Sequence, residues 1–520
     1  MAMQLHQMIK RNDVINGSKT ATIDGARRKT WAEVAARVAR LAGGFRGIGI
    51  GEGDRVAVLS PNSDRYFEYL FAAAWAGAVF VPVNIRLAPP EIAYWLSDSG
   101  SRALVIDGAF LPVLEHLKGK LPDLELLIYA GDGDTPEGMT NFEDLAQAGA
   151  IEGSARKGDD LAGLFYTGGT TGVSKGVMLS HGNLVFNSMV VRSHGLISGD
   201  GIYLHAPPMF HIADGACTFA VSLASGRHVF IPAFEPGAVL AAIQEHRISD
   251  SLLVPVMINM VVNHPEAASF DLRSLRTLIY GASPMPAAVL AAMMQLVPEC
   301  SFYHAYGQTE TAPLLTLLPP ERHVTEGPLA GKMAAVGRPC VGMDVRILDE
   351  DGQEVPRGTV GEICVQGPNV MQGYWNKPDL TADAWRHGWH HTGDGGCMDE
   401  DGFIYVVDRM KDMIISGGEN VYSAEVENAV YQHDDVIECA VIGVPDDRWG
   451  ERVHAIVRLH EGAETDAEAL IAHCRGLIAG FKCPRSVDLV DEPLPVSGAG
   501  KILKAELRKP FWEGQEKQVH

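Results

Sequence analysis

Short apolar segments alternate with amphipathic helical patterns through most of the first 400 residues, and this alternation limits the fold more than any other feature. The patterns predict strands at residues 55–59, 79–83, 251–256 and 275–280, and a helix over residues 64–77 between the first two. Strands that alternate with helices form mainly parallel sheets that are covered on both faces. The sequence therefore predicts an α/β fold.

The pattern changes in the last third of the chain. Between about residues 340 and 410 it is typical of strands separated by turns, and beyond Asp412 it is typical of a compact α+β unit. In that unit Ser423 is expected to cap a helix whose first turn is acidic, since an acidic first turn is favoured near a helix N-terminus. A domain boundary is predicted near residues 408–412.

Composition and charge exclude several classes of protein. The 520 residues are 46% hydrophobic and 21% charged, which is typical of a globular chain with more than one domain. The formal net charge of −22 argues against nucleic acid and anionic membranes as general partners. No secretory signal, membrane-length apolar run or C-x-x-C pair is visible. We therefore expect a cytoplasmic enzyme with no transmembrane segment.

The strongest chemical signal is a loop rich in glycine and threonine, Thr167–Lys175, which follows the predicted strand Leu161–Tyr166. Glycines let backbone N–H groups converge on an anion, threonine hydroxyls add donors, and Lys175 adds a positive charge. The spacing differs from G-x-x-x-x-G-K-[ST], which excludes a P-loop NTPase. A plain surface loop would not need this composition, so the loop predicts a triphosphate site.

Four further segments follow this loop in an order that matches a known family. The chain resembles the acyl-CoA synthetases of the adenylate-forming superfamily, which also contains peptide synthetase adenylation domains and firefly luciferase. The segments that carry the resemblance are Tyr166–His181, Tyr306–Glu310, Trp389–Asp394, Asp408–Asp412 with Ser416–Val421, and Pro495–Lys501. They span most of the chain, so a chance agreement is negligible.

The resemblance implies a domain plan. A large N-terminal domain, residues 1–408, would contain two parallel-rich αβ sandwich subdomains and a small β-barrel-like subdomain. Residues 409–411 would form a hinge centred on Lys411. Residues 412–520 would form a small, mobile α+β C-terminal domain that changes orientation between two half-reactions.

The resemblance also implies the nucleotide contacts. The residues expected to bind ATP or AMP are Thr167, Gly168, Gly169, Thr170, Thr171, Gly172, Lys175, Gly281, Ala282, Ser283, Tyr306, Gly307, Gln308, Thr309, Asp394, Arg409 and Lys501. Asp394 would accept both ribose hydroxyl protons and Tyr306 would stack on adenine. Glu310 is expected to hold Mg²⁺ with Thr167, because Mg²⁺ prefers hard oxygen ligands. Without the family order, Glu310 would be interpreted as a surface acid and Arg409 as a surface ion pair.

The expected catalytic residues are Lys501, Lys175, Glu310 and His211. Lys501 ends a Ser-Gly-Ala-Gly-Lys loop that is flexible enough to bring an ammonium to the substrate carboxylate and the α-phosphate. His211 is expected to gate an acyl pocket, although an isolated histidine among apolar residues is more often structural. Gly281, Ala282 and Ala312 are expected to line that pocket with His211.

The resemblance assigns coenzyme A contacts to a set of residues in both domains. They are Arg86, Gly417, Gly418, Trp449, Phe481 and Arg485. The glycines would leave a narrow channel for pantetheine. Three positions depart from the family pattern: Gly168 replaces a serine, Ser174 replaces a proline, and Cys483 stands where a base can occur. The contacts to the phosphates of coenzyme A therefore stay open.

The predicted function is that of an ATP-dependent carboxylic acid–CoA ligase that uses ATP, Mg²⁺ and coenzyme A and forms an acyl-AMP intermediate. A fatty acid is the first expectation for the substrate, and an aryl acid is the alternative. An acyl-AMP ligase that loads a carrier protein and a catalytically silent binding protein are the other functions left open. The oligomeric state is also open, with a homodimer as one option.

Overall fold

The computed structural model describes residues 3–167, 174–324, 326–409, 412–417, 419–446, 448–497 and 501–513, with only the backbone described for Arg409 and Asn420. In chain order the α-helices of these residues are α1 (His6–Asn16), α2 (Trp31–Gly47), α3 (Asp64–Ala76), α4 (Pro89–Ser99), α5 (Val113–Leu117), α6 (Phe142–Leu145), α7 (His181–Ser193), α8 (Ile212–Ala224), α9 (Pro236–His246), α10 (Pro255–Val262), α11 (Ala287–Leu296), α12 (Pro378–Ala384), α13 (Ser423–Val430), α14 (Ala467–Arg475) and α15 (Lys504–Trp512).

The strands of the same residues are β1 (Thr20–Asp24), β2 (Arg27–Thr30), β3 (Arg55–Leu59), β4 (Val79–Pro82), β5 (Ser101–Ile106), β6 (Leu126–Tyr129), β7 (Thr140–Asn141), β8 (Leu161–Thr167), β9 (Lys175–Ser180), β10 (Ile202–His205), β11 (Arg227–Phe230), β12 (Asp250–Leu252), β13 (Thr277–Gly281), β14 (Ser301–Gly307), β15 (Leu314–Leu318), β16 (Arg338–Pro339), β17 (Asp344–Leu348), β18 (Gly361–Gln366), β19 (Gly373–Tyr374), β20 (Trp385–Arg386), β21 (Trp389–Met398), β22 (Ile404–Arg409), β23 (Ile414–Ser416), β24 (Glu419–Val421), β25 (Val436–Asp446), β26 (Gly450–Leu459) and β27 (Ser486–Leu489).

Two large mixed sheets form most of the N-terminal part. Over the described residues, one has the order β16-β15-β14-β13-β12-β10-β11-β1-β2 and the other the order β19-β9-β8-β4-β3-β5-β6-β7. In both sheets the central strand pairs are parallel and antiparallel pairs lie towards the edges. These sheets confirm the predicted α/β fold.

Helix α3 shows how the sequence builds these layers. Ser63 accepts a hydrogen bond from the Tyr66 N–H at its start, and Gly77, at φ 83°, ends it. All of the helix from Tyr66 to Ala76 is buried, because α3 packs between sheet strands and neighbouring helices. The buried strand Val79–Pro82 follows directly, as the alternating pattern predicts.

One predicted strand is only partly right. The strand expected over residues 251–256 is Asp250–Leu252, and Pro255 begins helix α10. A proline fits the first turn of a helix, where its missing N–H has no partner to lose. The apolar run therefore continues from a strand into a helix.

Two smaller sheets follow in the chain. The first joins β17-β18-β21-β20, with β22 on β21, and its pairs are antiparallel. It lies where the small β-barrel-like subdomain is predicted. The second joins β24-β23-β26-β25, with β27 on β26, and packs its own apolar core. The large N-terminal and small C-terminal domains of the prediction are thus both present.

The chain passes from one sheet to the other between Arg409 and Ile414, because β22 belongs to the first small sheet and β23 to the second. This change lies at the predicted boundary near residues 408–412. Lys411, the predicted hinge, is outside the described residues. The limits 1–408, 409–411 and 412–520 remain our proposal for the domain plan.

The predicted role of Ser423 is wrong in one respect. Helix α13 does begin at Ser423, but its cap residue is Tyr422, which makes no side-chain cap bond. The Ser423 N–H and hydroxyl both donate to the Asp408 carboxylate instead. An acid from strand β22 therefore satisfies the start of α13, which is where a negative charge is favoured.

No α-helix among the described residues combines the length and the apolarity that crossing a bilayer requires.

Candidate active site

The predicted nucleotide residues lie at the ends of strands from both large sheets and on the first small sheet. Thr167 ends β8 and Lys175 begins β9, and the two residues face each other across this antiparallel pair. The predicted residues Gly168, Gly169, Thr170, Thr171 and Gly172 lie outside the described residues. Of the predicted triphosphate loop, the structure thus describes the two ends, the last residue of β8 and the first residues of β9 with Ser174 before them.

A tyrosine brings the predicted cation and the predicted metal ligand together. The Tyr374 hydroxyl donates to Glu310 Oε1 over 2.8 Å, and Lys175 Nζ lies 4.2 Å from the centroid of the Tyr374 ring. Glu310 is only 8% exposed. Because Tyr374 pairs with Val177 on β9, the fold holds Lys175 and Glu310 in one region.

The donor set of this region fits Mg²⁺. Glu310 offers a hard carboxylate and Thr167 a hydroxyl, and Mg²⁺ is usually held by one or two carboxylates together with substrate phosphates. Thr309 and Glu310 form the first part of a 3₁₀ turn that directly follows β14 and Gln308. The assignment of Glu310 and Thr167 to the metal stays a prediction.

The turn after β14 is packed too tightly for a side chain at Gly307. A Cβ atom there would lie 1.7 Å from the Pro313 carbonyl oxygen. Ala312, which is fully buried, has a positive φ of 58° in the same turn. Gly281, Ala282 and Ser283 leave the neighbouring strand β13, with Ala282 also at positive φ. The predicted nucleotide and acyl-pocket segments therefore lie side by side.

The predicted ribose carboxylate is held by a second tyrosine. The Tyr306 hydroxyl donates to Asp394 Oδ2 over 2.7 Å, and Asp394 is 6% exposed. Gln308 Nε2 lies 3.2 Å from His390 Nε2 on the same strand. Burial lowers the pKa of His390 to about 4, so its ring is neutral at neutral pH. These bonds dock the end of β14 on β21.

Strand β22 completes this edge of the site. The backbones of Asp394 and Arg409, the two residues predicted to bind the ribose, are paired across β21 and β22. The Arg409 side chain lies outside the description.

His211, the predicted gate of the acyl pocket, caps helix α8. Its Nδ1 accepts a hydrogen bond from the Ala213 N–H over 3.2 Å. Burial, and next the charge of Lys501, lower the pKa of His211 to about 3. The imidazole is therefore neutral at neutral pH, and its role as a gate stays a prediction.

Lys501 lies next to a contact between the two domains, because it is hydrogen-bonded to Ser497, which Arg86 of the N-terminal domain contacts. Ser497 N donates to the Lys501 carbonyl over 2.7 Å, and Lys501 N donates to Ser497 Oγ over 3.1 Å. Arg86 Nη1 lies 3.5 Å from the Ser497 carbonyl, which links the two domains.

Only some of the residues predicted to bind coenzyme A lie together in the structure. Within the described part of the chain, Gly417, Trp449 and Arg485 lie together: a Cβ on Gly417 would be 2.6 Å from Trp449 Cε3, and Arg485 Cζ lies 4.5 Å from the Trp449 ring centroid. Phe481 is 42% exposed. Gly418 is outside the description, and Arg86 contacts Ser497 on the other side of the domain connection.

Sequence reasoning missed several supporting residues. Tyr374 has no signal of its own in the sequence, because its role depends on the pairing of β19 with β9. Helix α4 supports the stems of the triphosphate loop: the Tyr166 hydroxyl donates to Asp98 Oδ2 over 2.7 Å, and the Tyr94 hydroxyl donates to the Ser174 carbonyl over 3.1 Å. These contacts follow from packing and not from a motif.

A cluster of a different kind lies on β18 and β21. Glu362, Cys364 and His391 form the one group of possible metal-ligating side chains among the described residues. Arg386 Nη2 lies 3.2 Å from Glu362 Oε2 and 3.1 Å from His391 Nδ1. The guanidinium already supplies the positive charge there, so we assign no metal to this cluster.

Comparison with known proteins agrees with this geometry. The model of the AMP-binding enzyme family matches residues 10–375, and the model of the AMP-binding enzyme C-terminal domain matches residues 425–501.

Relatives match along nearly the whole chain. The feruloyl-CoA synthase of Amycolatopsis sp is 43% identical, with 95% of this chain and 96% of the relative covered. The fatty acid–[acyl-carrier-protein] ligase ScoC of Streptomyces coeruleorubidus is 35% identical, with 96% and 95% covered.

Solved structures give the same result. The anthranilate CoA ligase AuaEII, in complex with anthranoyl-AMP, has a TM-score of 0.90 at 25% identity, with 98% of this chain and 97% of that chain covered. ATP-bound MatB from Rhodopseudomonas palustris has a TM-score of 0.87 at 31% identity, with 98% and 99% covered. The predicted family is confirmed: the chain belongs to the AMP-binding enzyme family, in the adenylate-forming superfamily.

Proposed function

We propose that this chain is an ATP-dependent carboxylic acid–CoA ligase whose substrate is an aromatic acid. Its class, that of an AMP-forming acid–thiol ligase, follows from the family and its relatives. The observation that supports the mechanism is that Lys175 and Glu310 both contact Tyr374. Asp394 accepts a hydrogen bond from Tyr306, on the strand that leads to Glu310.

The first half-reaction needs positioning and charge neutralisation. A carboxylate oxygen of the acid attacks the α-phosphorus of ATP, the bond to the β-phosphate oxygen breaks, and pyrophosphate leaves with the electron pair. Lys501 orients the carboxylate, and Lys175 neutralises phosphate charge. Glu310 and Thr167 would hold Mg²⁺, which supplies further neutralisation of phosphate charge when it is bound.

The second half-reaction transfers the acyl group to a thiol. The sulfur of coenzyme A attacks the acyl carbonyl, the bond to the AMP oxygen breaks, and AMP leaves while the thiol proton passes to solvent. The contact of Gly417 with Trp449, and the stacking of Arg485 on Trp449, support a coenzyme A surface on the C-terminal domain. We infer that this domain reorients about residues 409–411 between the half-reactions.

The choice of acid rests on relatedness. The feruloyl-CoA synthase is 43% identical to this chain, whereas the fatty-acid ligases compared with it are 34–35% identical. This difference favours the aryl alternative over the fatty acid that the sequence analysis expects first. A neutral His211 and a fully buried Ala312 support an apolar acyl pocket.

The test is a panel of acids with two readouts. Pyrophosphate release and thioester formation would be measured with ferulate, benzoate, indoleacetate, octanoate and palmitate, each at several concentrations. We expect ferulate to exceed both fatty acids in kcat/KM by at least about tenfold, which is within the range that a pocket can discriminate. A fatty acid with the higher kcat/KM would contradict the aromatic proposal.

The acceptor is tested separately, because ScoC is named as a ligase for an acyl carrier protein. The enzyme would be given coenzyme A or a phosphopantetheinylated carrier protein after acyl-AMP has formed. We expect transfer to coenzyme A. Transfer to the carrier alone would establish the alternative, and the absence of pyrophosphate release with every acid would refute the ligase itself.

A further inference from the structure

A buried ionic network joins the last helix, α15, to the strand that leaves the N-terminal domain. Lys504, the first residue of α15, donates to Ser423 Oγ over 2.5 Å and pairs with Glu427 Oε1 at 2.7 Å. The Ser423 N–H and hydroxyl donate to Asp408 Oδ2 over 2.6 and 2.7 Å. The network therefore runs from α15, through the start of α13, to β22.

The groups in this network are buried. Asp408 and Glu427 are each 8% exposed, and burial raises the pKa of both carboxyls. Burial lowers the pKa of Lys504, but the charges of Glu427 and Asp408 outweigh this effect and raise it. A buried ion pair adds little net stability, because desolvation cancels much of the attraction. The network is better suited to defining a geometry than to stabilising the fold.

Each end of the network is close, by strand pairing or in sequence, to a predicted site residue. Asp408 is paired with Gly395, the neighbour of Asp394 on β21. Lys504 follows Lys501 by three residues, and the intervening Ile502 forms a β-bridge with Val496. The network thus connects the strand that carries the predicted ribose carboxylate to the segment that carries the predicted catalytic lysine.

A second ion pair strengthens this attachment. Arg508, one helical turn after Lys504 on α15, pairs with Asp412 just beyond the domain connection. Helix α15 also packs on the C-terminal sheet, where the Trp512 indole donates to the Gly443 carbonyl over 3.1 Å. Helix α15 is therefore anchored to both sides of residues 409–411.

We propose that Lys504 and Ser423 are positioning residues for acyl-AMP formation, which hold Lys501 at the nucleotide site by tying α15 to Asp408. This inference rests on the proposed function. Catalysis by positioning is sensitive to small errors, since a displacement of about 1 Å can cost up to about 10²-fold in rate.

The sharpest variant is Ser423→Ala. It removes the hydroxyl bridge between Lys504 and Asp408, but it keeps the Lys504–Glu427 pair and the backbone N–H that donates to Asp408. We expect kcat for pyrophosphate release to fall about tenfold. KM for ATP and for the acid should stay within about twofold, because neither residue touches a substrate.

Lys504→Met tests the other side of the bridge, and Lys504→Arg tests its rescue. We expect Lys504→Met to lower kcat by about tenfold to a hundredfold and Lys504→Arg to recover most of this loss. The matched control is Lys482→Met, because Lys482 pairs with a different acid, Glu425, on the same helix α13. The control should release pyrophosphate at the wild-type rate.

A double-mutant cycle separates positioning from stability. If Ser423 acts through Lys501, then adding Ser423→Ala to Lys501→Ala should lower pyrophosphate release by less than about twofold further. A multiplicative further loss would overturn the proposal, as would a kcat for Ser423→Ala within twofold of wild type. The cycle uses Ser423, so it holds even if Lys504→Met does not fold. A wild type that releases no pyrophosphate would instead refute the proposed function.

Discussion

The two domains support their predicted site residues in different ways. In the N-terminal domain Glu310 and Asp394 are 8% and 6% exposed, and each accepts a hydrogen bond from a tyrosine on a strand. In the C-terminal domain Phe481 is 42% exposed, and Gly417 lies in a turn at a φ of 65°. The predicted nucleotide residues are therefore buried and held by hydrogen bonds, whereas the predicted coenzyme A residues lie on turns and exposed side chains.

This difference suits a division of the two half-reactions between the two domains. A rigid N-terminal site suits adenylation, which depends on prepositioned charge, and a C-terminal domain with separate contacts suits a change of partner between steps. Lys501 belongs to the C-terminal domain but is predicted to act at the N-terminal site, and it is hydrogen-bonded to Ser497, which Arg86 of the N-terminal domain contacts. It is the residue with which the comparison is tested most directly.

The largest effect is expected for Lys501→Ala. Removing a preorganised cation should lower the rate of pyrophosphate release by about 10²–10³-fold. The variant should still convert chemically supplied acyl-AMP and coenzyme A to thioester at nearly the wild-type rate, because the proposed reorientation carries Lys501 away from the site in that step. Equal losses in the two assays, with a normal circular dichroism spectrum, would show that Lys501 serves both steps.

Glu310→Gln should have the next largest effect. The change is nearly isosteric and keeps an acceptor for Tyr374, but it removes the charge that we assign to Mg²⁺ binding. We expect pyrophosphate release to fall about tenfold to a hundredfold and to need more Mg²⁺ for half-maximal rate. Glu299→Gln, at an exposed position, is the control. An unchanged dependence of the rate on Mg²⁺ concentration would contradict the assignment of Glu310 to Mg²⁺.

Tyr306→Phe, also in the N-terminal domain, should have a smaller effect on the reaction, seen in the KM for ATP. It deletes only the hydroxyl that holds Asp394 Oδ2, and the loss of one hydrogen bond to a charged group costs about 1.5 kcal/mol or more. KM for ATP should therefore rise about tenfold, with thioester formation from supplied acyl-AMP reduced much less. A KM for ATP equal to that of wild type would mean that Asp394 needs no support from Tyr306.

Gly417→Ala should affect only the second half-reaction, in which the C-terminal domain is proposed to bind coenzyme A. A Cβ there would lie 2.6 Å from Trp449 Cε3 and would also strain the positive φ of 65°. We expect KM for coenzyme A to rise a few-fold, on the order of 1 kcal/mol of strain, while pyrophosphate release stays unchanged. If the rates of both half-reactions fell equally, the proposal that the nucleotide and coenzyme A surfaces are separate would be wrong.

The smallest effect concerns pH. The pKa of His211 is lowered from its ordinary value to about 3, so His211 stays neutral as pH falls from 8 to 5. It gains its proton only below that range, and His211→Asn should therefore leave the shape of the pH profile of pyrophosphate release unchanged between pH 5 and 8. An ionisation near pH 6.5 that is present in wild type and absent in the variant would contradict this.

Local patterns were enough for much of the fold. The strand Arg55–Leu59 lies where its apolar run predicts it, and α3 ends at Gly77 as the pattern indicates. The predicted strand over residues 251–256 failed because Pro255 starts a helix within the same apolar run. The prediction that Ser423 caps α13 was wrong because the Asp408 carboxylate, from β22, accepts hydrogen bonds at the start of that helix.

The sequence by itself determined the α/β class, the family and the residue types at the nucleotide site, because these depend on periodicity and on motifs that are local in the chain. Only the tertiary structure decided that Tyr374 holds Glu310 and that Tyr306 holds Asp394, over sequence separations of 64 and 88 residues. It also decided that the Asp408 carboxylate accepts the hydrogen bonds from Ser423 at the start of α13. Such contacts depend on how strands pair and layers pack, and no local pattern contains that information.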